Sequence, residues 1–170
     1  VHPLSIVPNT PFSDPEYKNK YGYKYTKTAA PAGGNTYPKD SNGEIDYVAY
    51  ESKSYSKQDY IDMYFFAKGL VIPHHYHGVS QVAATYLNRE HNIPFIDFYK
   101  KLFEYSRNGN GILNEEYKNH TNSLKQSLFE DKTWGRTIEG GDDFHIQDNG
   151  ATASFLYRNI DKVHKEVINI

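Results

Sequence analysis

The chain has 170 residues, enough for one hydrophobic core and short for two. It has no cysteine, which excludes disulfides, thiolate metal sites and a cysteine nucleophile, and its net charge of −2 gives no global basic field to attract nucleic acid. Hydrophobic residues make up 38% and aromatics 15%, a folded rather than a disordered composition, and no stretch approaches the roughly 20 apolar residues of a membrane span.

Residues 1–45 hold Pro3, Pro8, Pro11, Pro15, Pro31 and Pro38 together with Gly33-Gly34, and read as an extended N-terminal arm able to order on a protein partner. The first residue is Val1, which points to a processed chain or a domain released from a larger precursor, secretion included. Residues 46–170 read as one helical globular domain. Ser41-Asn42-Gly43 is a turn signal, and residues 44–50 carry Tyr47, Val48 and Tyr50, which suit a strand.

Helical periodicity follows. Ser56-Lys57-Gln58-Asp59 resembles a capping box, and Gly69 stands where a C-cap would close that helix. A second stripe runs Val79, Val82, Ala83, Tyr86, Leu87, and a third runs Phe95, Phe98, Tyr99, Leu102, Phe103 behind Pro94. Asn108-Gly109-Asn110-Gly111 is a turn. A fourth helix starts near Asn114 with the stripe Tyr117, His120, Thr121, Leu124, Leu128. The last helix covers residues 152–168 with Leu156, Ile160, Val163 and Val167 inward. The expected fold is mainly α, about five helices with a short β element and an extended, proline-rich N-terminal arm; an α+β arrangement is the alternative.

The strongest chemical handle is Pro73-His74-His75-Tyr76-His77, expected on a short loop between two helices. Histidine changes charge near neutral pH and ligates metals, so clustering suits acid–base chemistry or ion binding. In extended backbone His75 and His77 would project to the same side. A metal needs a third ligand. His91 is a poor one, since a helix of about 12 residues at ~1.5 Å each separates it from His77 by roughly 18 Å. Asp142, Asp143 and His145, on a second glycine-flanked loop, and His120 are better placed. His120 also lies on an apolar stripe, where a half-buried, hydrogen-bonded histidine is the plainer expectation.

These residues lead to a small hydrolase with a histidine-centred site. His75, His77, Asp143 and His145 are its candidate catalytic residues, and His75, His77 and His145 its candidate metal ligands. The expected cofactor is a divalent ion, zinc or magnesium, or none. The substrate class is nucleic acid or glycan. A phosphodiester is favoured by analogy with compact histidine-rich bacterial toxin and effector nucleases.

Three short resemblances accompany this reading. Gly69 through His77 resembles the first half of a cupin motif, which implies histidine ligands inside a β-barrel; the residues that follow have helical spacing instead. Asp46 with Glu51-Ser52-Lys53 resembles the end of a PD-(D/E)xK nuclease site, which implies carboxylates on a divalent ion and a lysine beside the attacking water. Glu90, closing a helix, resembles the catalytic acid of lysozyme-like transglycosylases, which implies glycoside hydrolysis beside an aromatic groove. A non-catalytic binding module, using the arm and the 16 tyrosines as a contact face, is the third class.

Overall fold

The computed structural model describes residues 10–29, 45–130, 135–137, 145–146 and 148–170. Residues 1–9 and 30–44 of the expected arm lie outside these. Residues 10–22 are not the extended chain their prolines suggested. Pro15 occupies the first turn of α1 (Pro15–Tyr21), Asp14 accepts a hydrogen bond from the Glu16 N–H at 2.8 Å, and Gly22 stops the helix at φ 65. Proline's fixed φ suits a helix start, and glycine reaches the left-handed conformation without a Cβ penalty.

Strand β1 (Lys24–Ala29) then pairs antiparallel with β2 (Ile45–Glu51), the strand expected from the tyrosine–valine pattern. Tyr25 faces Ala49 and Thr26 faces Val48, after a register shift between Lys24 and Tyr25. Val48 and Ala49 are buried. The Thr26 hydroxyl donates to the Leu128 carbonyl at 2.8 Å, which ties this hairpin to the helices.

The capping box at Ser56 forms as expected and opens α2 (Lys57–Tyr64), with Asp59 returning its carboxylate to the Ser56 N–H at 2.8 Å. Gly69 does not cap that helix. The chain continues as a wide, π-type helix over Phe65–Tyr76. The composition explains the widening. Pro73 has no N–H to donate, and in a regular α-helix its ring would press on the carbonyl four residues back, at Gly69. Opening the turn relieves that clash, and His77 N–H donates to the Ile72 carbonyl, five residues back, at 2.9 Å. Gly69 itself is buried. A Cβ there would stand 2.4 Å from the Phe65 ring of the same helix and 3.0 Å from His120 Nδ1, so glycine leaves room for that ring and for the close approach of His120.

Next come α3 (Gln81–His91), α4 (Phe95–Asn108), α5 (Ile112–Phe129), a minimal hairpin of β3 (Arg136–Thr137) with β4 (His145–Ile146), α6 (Asp148–Arg158) and α7 (Ile160–Val167). The expected final helix is thus two, broken at Asn159. The fold is mainly α with a short β element, and among the described residues seven α-helices and the wide helix carry it.

α5 is the axis. Its N-terminus is clamped by Glu166 of α7, whose two carboxylate oxygens accept from the Ile112 and Leu113 N–H groups at 2.6 and 3.1 Å. Such a carboxylate satisfies amides that no helical carbonyl can reach. Two apolar cores meet along α5. One joins Phe65, Leu70, Phe98, Leu102, Leu113, Leu156 and Val163; the other joins Val48, Ile61, Tyr64, Leu124 and Leu128.

α3 departs from its sequence pattern. Ala84 is buried in it, whereas Val82 is 81% and Tyr86 57% exposed. The apolar stripe on this helix is wider than the face that α4 and the wide helix cover. Among the described residues no helix is long and apolar enough to cross a membrane.

Candidate functional site

The histidine run is part of the wide helix and the turn that ends it, not an extended loop, so its side chains do not alternate. The His74 and His75 side chains turn toward different elements, and His77 meets α6 through its backbone carbonyl. His74 turns inward and is 2% exposed; its Nδ1 lies 2.7 Å from the buried Ser80 hydroxyl. The Ser80 N–H donates to the His74 carbonyl at 2.9 Å, so this pair closes the wide helix onto the start of α3. Burial pushes the His74 imidazole down to about 3, and the ring is neutral and structural near pH 7.

His75 is half-buried and faces α4. Its Nδ1 lies 2.9 Å from the Tyr99 hydroxyl, and its ring meets the edges of Phe95 and Tyr99 at centroid distances of 5.7 and 5.8 Å. Burial raises Tyr99 to about 12, so the phenol stays protonated near pH 7. The pair then has two arrangements. Either the phenol donates to Nδ1 and Nε2 carries hydrogen, or Nδ1–H donates to the phenol and Nε2 offers a lone pair. His75 Nε2 makes no hydrogen bond among the described residues. Only the second leaves Nε2 able to accept a proton as a general base; the imidazolium so formed keeps its Nδ1–H on the phenol and can return the proton as a general acid.

His77 is exposed. The Tyr157 hydroxyl of α6 donates to the His77 carbonyl, and the His77 ring meets Tyr76 edge-on at 5.7 Å. His75 and His77 thus lie at one helix end, His75 against Phe95 and Tyr99 and His77 against Tyr76, with no contact between their two rings among the described residues.

The second expected loop is described only in part. Asp142, Asp143 and the side chain of His145 lie outside the described residues, while the His145 backbone pairs with Thr137. Among the described residues no three His, Asp or Glu side chains converge on a metal-sized space. Glu51 pairs with Lys24 at 2.6 Å, and Lys53 Nζ donates to the Lys20 carbonyl at 2.8 Å. The Glu-x-Lys triplet thus has local structural partners. Glu90 is exposed on the last turn of α3, and His91 stacks edge-on with Tyr86 at 5.4 Å, away from the histidine run.

A second polar group, buried between α5 and α6, went unread in the sequence apart from His120. Glu116 is 2% exposed, and His120 and Thr152 are fully enclosed. Arg136 of β3 donates to Glu116 Oε1 at 2.5 Å and to Thr152 Oγ at 2.8 Å, and its Nε stands 3.8 Å from the Asp148 carboxylate. Thr152 Oγ lies 2.7 Å from Glu116 Oε1 and 3.0 Å from His120 Nδ1. A contact that short to a carboxylate requires the threonine proton between them. His120 Nδ1 must then be the donor to Thr152, and Nε2 is left as a buried lone pair with no partner among the described residues. Burial, reinforced by Arg136, pushes His120 down to about 3.

Apart from the partly exposed Arg136, this cluster is closed to solvent, and it positions α6, and with it Tyr157, against the wide helix. Its signal in the sequence is the polar row Glu116, His120, Ser123, Ser127 at helical spacing, facing Asp148 and Thr152 one turn apart. The chain matches no protein-family model and is not significantly similar to any curated protein.

Proposed function

We infer that the domain is a small hydrolase that acts on phosphodiesters by general acid–base catalysis, with His75 and His77 as the working pair. The observation that carries this reading is the His75–Tyr99 pair. One ring nitrogen is fixed by a phenol that stays protonated, and the ring sits half-buried at the rim of an aromatic-walled surface with a second, exposed histidine two residues on. Wide helical turns recur at functional sites, and this one ends at the two histidines. Two histidines can remove a proton from a nucleophilic hydroxyl and return one to the leaving oxygen, a division of labour that needs no third ligand. If a divalent ion takes part, His75 and His77 would supply two of its ligands and His145 the third.

The test is cleavage of labelled RNA and DNA by the native protein, with and without chelator, and by His75→Ala and His77→Ala variants that retain the native circular dichroism. Loss of about 10²–10⁴-fold in each variant supports the assignment. Full activity in both single variants sinks it. Metal content by elemental analysis of native and doubly substituted protein tells whether an ion belongs to the same site.

One observation favours a non-catalytic reading. Tyr76, between the two histidines, and Val82, in the first turn of α3, are 84% and 81% exposed, the kind of apolar side chains that partner contacts cover. Folded protein inert on every phosphodiester, yet retaining a partner through Tyr76 and Val82, would turn the assignment to a binding module.

A further inference from the structure

A different surface carries the second inference, which rests on the phosphodiester reading for its choice of ligand. Between residues 17 and 27 the chain reads Tyr-Lys-Asn-Lys-Tyr-Gly-Tyr-Lys-Tyr-Thr-Lys, four tyrosines and four lysines without one acid, in a chain whose net charge is −2. The fold gathers much of this run around one turn. Tyr17, Tyr21 and Tyr23 form a cluster with Phe12, with ring centroids 4.4 Å apart for Tyr17–Tyr21 and 5.9 Å for Tyr21–Tyr23. These rings are half-exposed, Tyr21 the most at 36%.

Lys53 comes to the same turn from the far side of β2. Its stem would lie 3.0 Å from a Cβ on Gly22, its Nζ donates to the Lys20 carbonyl, and its N–H donates to the Tyr21 carbonyl at 3.0 Å. Lys20 Nζ stands 5.3 Å from the Tyr21 ring centre, and Lys18 Nζ donates to the Tyr25 hydroxyl at 2.7 Å. Among the described residues Lys18, Lys20 and Lys53 have no carboxylate within ion-pair distance, while Lys24 is neutralised by Glu51. The acids nearest in sequence are Asp14 and Glu16 at the opposite end of α1, and Asp14 is occupied as its cap.

Aromatic faces interleaved with unpaired cations match one ligand chemistry closely. Unstacked bases lie on the rings and backbone phosphates meet the ammonium groups. A duplex offers phosphates without free base faces, and a neutral glycan offers no charge for the lysines. We propose that the α1–β1 turn, with Tyr21, Tyr23, Lys18, Lys20 and Lys53, is a binding surface for single-stranded nucleic acid.

The experiment is fluorescence anisotropy with a labelled oligothymidylate of about 15 nucleotides, long enough for one stacking site. It is run on full-length His75→Ala/His77→Ala protein so that cleavage cannot distort the titration. Expected is salt-dependent binding, weaker for a duplex of equal length. Tyr21→Ala weakens it about tenfold and Tyr21→Phe, which keeps the ring, within about twofold. Lys20→Ala and Lys53→Ala each flatten the log–log salt slope by about 0.7. All four variants are checked for native thermal melting.

Absence of binding, binding unchanged in Tyr21→Ala and both lysine variants, or equal competition by heparin with no dependence on the ring each overturns the proposal; the last would mean a general polyanion surface. Preference for neutral glycan overturns it as well. Binding that passes these tests without any cleavage by the native protein leaves this surface standing and removes the hydrolase. Cleavage by the native protein, with binding that fails these tests, does the reverse.

Discussion

Acid should unfold this protein from its histidines before its carboxylates. His120 and His74 are buried and neutral, each pushed from 6.5 to about 3, with burial as the main cause. A histidine that resists protonation when folded takes up a proton on unfolding. The unfolded state therefore binds more protons between pH 6.5 and 3, and stability falls as pH falls through that window. Each pH unit inside it costs about 1.4 kcal/mol per histidine. At pH 4.5 each ring has cost about 2.7 kcal/mol relative to pH 8, and the pair about 5 kcal/mol, comparable with the whole stability of a typical domain. The lowered carboxylate of Asp59 acts only below its usual value of 3.8, so it does not compete in the upper part of the window. Urea unfolding followed by circular dichroism from pH 8 to 4.5 reads this directly. Between pH 5.5 and 4.5 the free energy should fall by about 2.7 kcal/mol per unit at constant m-value, and by half as much in His120→Asn, where the amide can replace the Nδ1 donor to Thr152. Stability that is flat between pH 7 and 4.5, or a slope unchanged in His120→Asn, would refute the assignment of His120 as a buried neutral ring.

Three further outcomes follow from the packing. Gly69→Ala gains about 1 kcal/mol of helix propensity, but its methyl collides with Phe65 and His120; overpacking of ~1–3 kcal/mol should win and lower Tm. Glu166→Ala removes the acceptor for two amides at the start of α5 and should cost about 0.5–2 kcal/mol in chemical denaturation, with the loss unchanged when salt is raised if hydrogen bonding dominates. Glu116→Ala leaves the partly buried Arg136 with only the more distant Asp148 carboxylate, at 3.8 Å, and should cost about 3 kcal/mol, whereas Glu116→Met with Arg136→Met should recover most of it; equal losses would show that packing, not charge, governs the seam. In the proposed site, Tyr99→Phe removes the phenol that fixes the His75 ring while keeping its packing, and should lower kcat more than it raises KM and shift the pH profile of cleavage.

Much of the architecture was legible because it depends on neighbours in sequence. The Ser56–Asp59 capping box, the strand at Val48, the turn at Asn108–Gly111 and the inward faces of α4 and α5 follow from local hydrogen bonding and from periodicity. Prolines misled at residues 10–22, because Pro15 begins a helix as readily as it extends a chain. Gly69 misled as well: expected as a C-cap, it lies inside the wide helix.

Composition and spacing by themselves determined a single mainly α chain without thiol chemistry, and singled out His75 and His77 as side chains worth attention. Tertiary structure alone decided what each histidine does. His74 and His75 are adjacent in sequence, yet one is sealed against Ser80 and the other rests on Tyr99 at the surface. That difference arises from a wide turn set by Pro73 and Gly69 and from helices tens of residues away. The partners of Glu116, Arg136 and Thr152 are equally distant in sequence, up to 36 residues apart. The charge and hydrogen-bonding state of such groups depends on what surrounds them in space, and no local pattern encodes that.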